Sequence, residues 1–313
     1  MIRREFIKAG LAGGAAVLTG CNSEKAYALP RRKLGKTGEK LSVIGFGGIL
    51  VDKLEQNAAN KLVARTFDRG INYYDVAPSY GNAEEILGPA LQPYRNKCFL
   101  ACKTTERDKE GSEKELNRSL KRLKTDHFDL YQLHAISSAE DVERAFAPGG
   151  AMEVFVKAKQ EGKVRFLGFS SHSETASLLA MKNYDFDTIL TPINFVCWHA
   201  GKFAQKAVAI AKEKGMGILA LKTLAYTPIP EGTEKPYQKL WYIPNEDEAL
   251  SDVAVRFTLS KGVTAAIPPG EEKFLWRALA IAEKDLSFTK DEDQKLQQLA
   301  GGIIPLFESD VPA

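Results

Sequence analysis

The feature that most constrains this chain is a regular alternation of strand-like and helix-like segments. Short apolar runs such as 71–74 and 99–102 are each followed by a stretch in which apolar residues recur at helical spacing. Eight such pairs lie between residues 43 and 282. Because regular alternation favours parallel strands, and eight pairs favour closure, we predict an α/β chain folded as a (β/α)8 (TIM) barrel.

A doubly wound open sheet is the alternative for an alternating chain. It would carry a GxGxxG turn after its first strand, and the segment 46–49 lacks that pattern. We therefore expect one barrel domain over 29–313. A short β-hairpin over 29–43 precedes it, with its turn at 36–38, and a helical extension follows it.

Capping residues predict where helices begin and end. Ser112 with Glu115 three residues later is typical of a capping box, so we expect a helix over 112–123 that starts at Ser112. Gly70 is expected to end the helix over 54–69.

The first 28 residues differ in composition from the rest. Arg3 and Arg4 precede an apolar run over 9–19, which is shorter than the about 20 residues that a membrane span needs. This layout is typical of a secretory signal, and the arginine pair is typical of the twin-arginine class. We predict an export signal and linker over 1–28, with the mature chain in the periplasm or cell envelope.

Two cleavage sites compete within this segment. Residues 18–21 resemble a lipoprotein box, which would place a lipid on Cys21 and attach the chain to a membrane. Residues 26–28 read Ala-Tyr-Ala and offer cleavage after Ala28 instead.

Charge and cysteine content exclude other classes. The chain has a formal net charge of +3, of which the first twenty residues contribute +2, so the body is nearly neutral and no nucleic-acid partner is expected. Three cysteines remain after Cys21, an odd number that does not suit a disulfide framework. No CxxC or HExxH string indicates a metal site.

Four polar residues stand at or just after strand-like segments. Asp75, Lys103 and His134 follow the second, third and fourth strands, and Tyr80 lies five residues after Asp75. Because the C-terminal ends of barrel strands meet at one mouth, we expect these four side chains to be neighbours.

These residue types suit the reduction of a carbonyl, which needs a hydride on carbon and a proton on oxygen. Tyr80 would donate the proton, and a nearby Lys103 ammonium would lower the tyrosine's pKa from about 10 toward neutrality. Asp75 would keep Lys103 charged and placed, and His134 would orient the carbonyl.

The surrounding strings resemble the aldo-keto reductase family over roughly residues 31–285. They are LGKTGEKLSVIGFGG, GINYYDVAPSYGNAEEILGPAL, FLACKT, DLYQLH and GKVRFLGFSSH. The resemblance implies an oxidoreductase that transfers a hydride between NADP or NAD and an aldehyde, ketone or sugar-like carbonyl or alcohol, without a metal. It also implies that Asp75, Tyr80, Lys103 and His134 form its catalytic tetrad.

The resemblance further implies which residues bind the cofactor. Hydroxyl and amide groups after strands five and six would hold the nicotinamide, and residues after strands seven and eight would hold the phosphates. The implied residues are Asp75, Ser170, Ser171, Asn194, Lys222, Gly270 and Lys273. For Ser170 and Ser171, capping of the next helix is the alternative.

The segment after strand eight departs from the family pattern. The usual Glu-Asn pair is absent, and Glu271 and Glu272 face the expected 2′-phosphate of NADP. Like charges disfavour a phosphate there, whereas Lys273 and Arg277 would favour it. The preference between NAD and NADP stays open at this stage.

Residues 223–245 form a long segment after strand seven. We predict that it covers the site and supplies aromatic walls suited to sugar rings or flat carbonyl compounds, because long loops at a barrel mouth usually serve binding. A structural cover over the barrel is the alternative. The aromatics are Tyr226, Tyr237, Trp241 and Tyr242, with Trp198 and His199 as neighbours after strand six.

A non-catalytic barrel that binds a nucleotide as a sensor or interaction subunit is the alternative function. The complete tetrad favours an enzyme instead. The small-molecule substrate is the expected partner, and no protein partner is predicted.

Overall fold

The computed structural model describes residues 29–311. The predicted export signal, Cys21 and the alternative cleavage after Ala28 lie outside these residues. The strands are β1 (Arg31–Lys33), β2 (Lys40–Ser42), β3 (Phe46–Gly47), β4 (Tyr73–Asp75), β5 (Phe99–Thr104), β6 (Phe128–Ile136), β7 (Val164–Ser171), β8 (Thr188–Pro192), β9 (Gly217–Leu221), β10 (Ala225–Pro228), β11 (Tyr242–Pro244) and β12 (Ala265–Ile267).

Eight of these strands form a parallel barrel, which confirms the predicted fold class. Their hydrogen-bonded order runs from β3 through β9 in sequence and then to β12. A parallel bridge between Ile44 and Ala266 closes the circle, and the Gly45 N–H donates to the Ala266 carbonyl at 3.0 Å. The C-terminal ends of all eight strands therefore meet at one mouth.

Helices surround the barrel and connect its strands. They are α1 (Gln56–Asp68), α2 (Ala83–Leu91), α3 (Lys109–Arg122), α4 (Ala139–Phe146), α5 (Ala151–Gln160), α6 (Glu174–Asn183), α7 (Phe195–His199), α8 (Gln205–Glu213), α9 (Glu248–Ser260), α10 (Glu272–Ala282) and α11 (Lys290–Ala300). Helix α11 is the predicted C-terminal extension, whereas α4 and α7 are not predicted by the sequence pattern. In residues 29–311, no helix is both long enough and apolar enough to cross a bilayer.

The strands divide the apolar residues into two cores, because successive side chains on a strand point to opposite faces. Within β4, Tyr73 belongs to the core inside the barrel, and Tyr74 belongs to the layer between strands and helices. Both are fully buried. This division decides which side chains can reach the mouth from the inside.

The predicted N-terminal hairpin is confirmed, and it closes the lower end of the barrel. Strands β1 and β2 pair antiparallel, and Leu34 in their connection is buried with the interior core. A Cβ at Gly217 would lie 2.4 Å from the Leu34 side chain. A glycine at the start of β9 therefore makes room for the leucine that plugs the barrel floor.

The predicted start of the third helix was wrong. Helix α3 begins before Ser112, and Asp108 caps it by accepting the Gly111 N–H at 2.8 Å. Glu115 instead accepts a hydrogen bond from Thr104 at 2.7 Å, which ties the helix to the end of β5. The tertiary contact has taken over the side chain that would complete a local capping box.

The segment over 223–245 contains the β10–β11 hairpin and lies across the mouth. Its Lys239 ammonium donates to the Leu50 carbonyl at 2.7 Å, on the far side of the opening. The last described residues, 303–311, form a C-terminal strap on the same face. The Ser309 N–H donates to the Gly201 carbonyl at 2.8 Å, and the Asp310 carboxylate accepts the Thr175 N–H at 2.9 Å.

Candidate active site

A buried ion pair between Asp75 and Lys103 lies at the base of the mouth. The Lys103 ammonium donates to Asp75 Oδ1 and to the Val76 carbonyl, the latter at 3.1 Å. The two side chains are only 2% and 1% exposed. Burial acts to lower the pKa of Lys103, but Asp75 outweighs it and the pKa is raised overall, so the lysine keeps its charge.

Tyr80 lies beside this pair in the turn after β4. The Lys103 nitrogen is 5.3 Å from the centroid of the Tyr80 ring. Burial raises the pKa of Tyr80 above its ordinary value of 10.0, and the Lys103 charge opposes that rise without cancelling it. The predicted net lowering of the Tyr80 pKa was therefore wrong for the chain alone, and Tyr80 keeps its proton.

The turn that carries Tyr80 is fixed by its neighbours. Gly81 has a φ of +57°, and a Cβ there would lie 2.1 Å from Asp52 Oδ1, so only glycine fits. The same Asp52 oxygen accepts the Asn82 N–H at 3.2 Å, and the Tyr80 N–H donates to the Ala77 carbonyl at 3.1 Å. These contacts hold the phenol over the mouth.

A bulge near the end of β6 positions His134. The register with β7 shifts between Leu133 and Ile136, and Ala135 has a φ of +50°. The Ala135 N–H donates to the Ser170 hydroxyl oxygen at 2.7 Å. Such a bulge re-aims the side chain next to it, and the sequence alone gives no sign of it.

The His134 ring faces Tyr80 and is neutral. The two ring centroids are 5.7 Å apart with the rings nearly perpendicular. Burial and then the Lys103 charge hold the pKa of His134 well below its ordinary value. Arg107, which the sequence did not single out, donates to the His134 carbonyl at 2.7 Å and fixes the backbone.

Two more residues that the sequence did not single out contact Asp75. The Tyr73 hydroxyl donates to Asp75 Oδ2 at 3.1 Å, and the Gln132 amide donates to the same oxygen at 3.3 Å. Each stands two residues before a predicted catalytic residue, Asp75 or His134. Because alternate residues of a strand share a face, the period of two was a signal that could have found them.

The mouth contains a cavity of about 260 Å³ that joins predicted catalytic and cofactor-binding residues. Its lining includes Asp75, Tyr80, Lys222, Trp241, Tyr242 and Gly270. A cavity of about 330 Å³ at the opposite end of the barrel holds none of the predicted site residues. Ion pairs between Arg95, Asp129 and Arg165 lie in its wall, consistent with a structural role.

Lys222 is a half-buried cation with a strained backbone, since its φ is +60°. Its ammonium lies 3.1 Å from His172 Nε2 and 5.3 and 5.5 Å from the ring centroids of Trp241 and Phe307. Burial lowers the pKa of Lys222 to about 8 and that of His172 to about 3. Within residues 29–311, no carboxylate pairs with this ammonium.

The side chains at the ends of β7 and β8 are engaged with nearby backbone groups. The Ser171 hydroxyl donates to the Ile136 carbonyl at 2.9 Å, and Asn194 caps α7 by accepting the Cys197 N–H at 2.9 Å. Helix α6 is capped by Ser173, so neither Ser170 nor Ser171 plays the alternative capping role. The predicted cofactor role of Ser170, Ser171 and Asn194 stays a prediction.

The two predicted residues after β12 differ in their surroundings. A Cβ at Gly270 would lie 2.5 Å from the Ile49 side chain, so glycine permits the close approach of two loops at the cavity. Lys273 is exposed, contacts the Tyr237 hydroxyl and pairs with Glu246 at 2.8 Å, outside that cavity.

The aromatic residues of 223–245 are divided between the cavity and other surfaces. Trp241 is 50% exposed over the mouth, and Tyr242 is buried beneath it. Trp198 and His199 do not join them, because both pack against Phe257. The expectation that they add to the aromatic walls was wrong.

Comparisons with known proteins show which family the chain is similar to. A model of the aldo/keto reductase family matches residues 43–266. The chain is 36% identical over 155 residues to the uncharacterized oxidoreductase YqkF of Bacillus subtilis, covering 45% of this chain and 48% of that protein. It is 34% identical over 157 residues to L-galactose dehydrogenase of Arabidopsis thaliana, covering 44% and 47%. The chain spans about half the length of these relatives.

Other similarities extend over more of the chain. It is 26% identical over 265 residues to the 6-dehydroglucose reductase of Novosphingobium aromaticivorans, covering 75% of this chain and 79% of that protein. The holo form of aldo-keto reductase AKR11C1 from Bacillus halodurans superimposes with a TM-score of 0.71 at 23% identity, covering 89% and 98%. This structural likeness supports the barrel fold.

Proposed function

The chain belongs to the aldo/keto reductase family, and on that premise we propose that it transfers a hydride between a nicotinamide cofactor and a carbonyl or alcohol, with Tyr80 as proton donor. The observation that carries this proposal is the buried Asp75–Lys103 pair beside Tyr80 at one cavity. A phenol beside a fixed ammonium, at the end of a barrel strand, is suited to protonate an oxygen.

Each side chain has a distinct part in this reaction. Tyr80 holds its proton until the carbonyl oxygen gains negative charge, and Lys103 stabilises the tyrosinate that then forms. Asp75 keeps Lys103 charged and in place. The neutral His134 ring donates one N–H, which aims the carbonyl at the phenol.

The cavity also suits a nicotinamide cofactor. Lys222 offers a cation with no carboxylate partner in residues 29–311, and Gly270 lines the same cavity. Ser170, Ser171 and Asn194 would hold the nicotinamide, which supplies the hydride when bound. Ser171 and Asn194 must exchange part of their present hydrogen bonds to do so.

We expect NADH to bind at least as tightly as NADPH. Lys273 already pairs with Glu246, and Glu271 and Glu272 add negative charge at the same helix start. A 2′-phosphate would therefore meet a cation that is largely neutralised.

For the substrate, we propose a sugar-like carbonyl or alcohol. Trp241 and Tyr242 at the mouth offer faces for stacking on a ring. Two of the relatives are named for sugars, 6-dehydroglucose and L-galactose.

We also propose that the chain is exported through the signal over 1–28, with lipid attachment at Cys21. A twin-arginine route carries folded proteins, so the nucleotide would travel bound and be regenerated in place. Mass analysis of protein purified from the cell envelope should find a nicotinamide nucleotide and a lipid on Cys21. Protein that is free of nucleotide would contradict the bound-cofactor cycle, and cleavage after Ala28 would contradict lipidation.

The direct experiment is a fluorescence titration with NADH and NADPH, followed by assays on a panel of carbonyls and alcohols that includes sugars. We expect saturable binding, with NADH no weaker than NADPH, and turnover on part of the panel. Binding without turnover across the panel would favour the alternative, a non-catalytic nucleotide-binding barrel. Absence of nucleotide binding would reject both the enzyme and the non-catalytic nucleotide-binding barrel.

A further inference from the structure

The Asp75 carboxylate receives hydrogen bonds on both oxygens. Oδ1 faces the Lys103 ammonium, and Oδ2 accepts from the Tyr73 hydroxyl at 3.1 Å and the Gln132 amide at 3.3 Å. All four residues are buried, with whole-residue exposures of 1% or less. The ion pair is therefore one part of a four-membered network.

The strand register explains how the network assembles. Tyr73 lies two residues before Asp75 on β4 and points into the barrel. Gln132 on β6 is the direct partner of Lys103 on β5. Strands β4 and β6 thus each place one neutral donor beside the Asp75 carboxylate, and β5, which lies between them, supplies the Lys103 ammonium.

Gln132 is costly to keep in this position. Its amide oxygen is buried and accepts no hydrogen bond within the described part of the chain. An unsatisfied buried acceptor lowers the stability of the fold, and an apolar side chain would avoid that cost. The bond from its amide nitrogen to Asp75 is the gain that offsets this cost.

Tyr73 is likewise suited to donate and not to ionise. Burial, and then the Asp75 charge, raise the pKa of Tyr73 well above its ordinary value. Its phenol is therefore neutral, and its hydroxyl proton is available to the carboxylate.

From these contacts we propose that Tyr73 and Gln132 are positioning residues, which fix the Asp75 carboxylate so that the Lys103 ammonium stays beside Tyr80. The inference rests on the proposed function of Tyr80. The two hydrogen bonds on Oδ2 fix the plane of the carboxylate, and therefore the direction in which Oδ1 holds the Lys103 ammonium. Without them, the carboxylate is free to rotate and the ammonium can move away from the Tyr80 phenol. Lys103 then favours the tyrosinate form of Tyr80 less strongly.

The titratable groups around Tyr80, inside and outside the network, set the background for a test. They are Asp75 and Tyr73 on β4, Cys102 and Lys103 on β5, His134 on β6 and Tyr242 on β11. Substituting Tyr73 or Gln132 with an apolar residue changes none of the other side chains.

The test is the pH profile of alcohol oxidation in Tyr73→Phe, Gln132→Met and the double variant. Oxidation requires Tyr80 to accept the alcohol proton, so its rate rises as Tyr80 ionises. We expect the apparent pKa of the rising limb to move up by about half a unit to one unit in each single variant, and further in the double. KM should change by less than about twofold, because neither residue is expected to touch substrate.

Tyr74→Phe is the matched control, since Tyr74 is equally buried but lies in the outer layer and contacts Thr66 at 3.5 Å. Its profile should match the wild type. If the apparent pKa does not move in the folded, active variants, or moves equally in Tyr74→Phe, the positioning role of Tyr73 and Gln132 is overturned and the proposed function still stands. A wild type without turnover, or full turnover in Tyr80→Phe, would overturn the proposed function together with it. If Tyr73→Phe fails to fold, Gln132→Met carries the test.

Discussion

The two sides of the barrel mouth differ in how their side chains are used. At the ends of β4, β5 and β6, polar groups contact one another, as in the Asp75–Lys103 pair. At the ends of β7 and β8, the polar groups instead bond to nearby backbone groups, as Ser171 and Asn194 do. The first side is assembled in the chain alone, whereas the second must exchange hydrogen bonds when it binds a ligand.

This difference shows which features of the site are determined by the order of the strands. A strand end fixes where a side chain stands, but the partner it takes depends on the loop that follows. Lys222 shows the intermediate case, because it faces the cavity but is surrounded by Trp241, Phe307 and His172.

The largest effect is expected on the assembled side. Lys103→Met should lower kcat/KM by about a thousandfold or more, because Tyr80 loses its ammonium. It should also lower the free energy of unfolding by roughly 3–5 kcal/mol, since Asp75 is left as an uncompensated buried charge. Urea denaturation and steady-state assays measure the two effects.

The double variant Lys103→Met/Asp75→Asn separates them. It should recover most of the stability and none of the activity. Recovery of activity in the double variant would mean that the ion pair only supports the fold.

A smaller effect is expected on the other side of the mouth. Lys222→Met should weaken nucleotide binding by about 10- to 100-fold, as loss of one buried charge contact to an anion. Lys222 is charged below its pKa of about 8 and neutral above it, so wild-type affinity should fall as pH rises through that value. The variant should lack this pH dependence.

Lys261→Met is the control for this prediction. Lys261 also lies against aromatic rings, those of Trp198 and Phe257, but it pairs with Asp293 at 3.0 Å and lies outside the cavity. An equal loss of affinity in both variants would show that Lys222 acts through general stability.

The smallest effect is expected at the cover over the mouth. Trp241→Ala should raise KM by about two- to tenfold across a substrate panel, because one aromatic wall is lost. Trp276→Ala on α10 is the control, since Trp276 does not line the cavity. Unchanged KM values for Trp241→Ala would leave 223–245 as a structural cover only.

The fold could be predicted from the sequence because alternation and strand length are local properties. The tetrad positions followed from the barrel, since Asp75, Lys103 and His134 end consecutive strands. The bulge at Ala135 could not be predicted, because a contact with Ser170 on the next strand accompanies it. The start of α3 was mispredicted because Glu115 contacts Thr104 instead of completing a local capping box.

The electrostatics of the site were predicted only in part. The sequence placed Lys103 beside Tyr80 correctly, but the direction of the Tyr80 pKa depends on how far burial removes the phenol from water. Likewise, the pairing of Lys273 with Glu246 joins two elements that are distant in sequence. Both the depth of burial of a side chain and its contacts with residues distant in sequence are set by the tertiary fold.

The most direct test of the account is the carbonyl reduction rate of Tyr80→Phe compared with Tyr242→Phe, the other phenol that lines the cavity. We expect Tyr80→Phe to lose about a hundredfold or more of kcat/KM while nucleotide affinity is kept, and Tyr242→Phe to retain at least about a tenth of the activity. Intact turnover in Tyr80→Phe, or the larger loss in Tyr242→Phe, would contradict it.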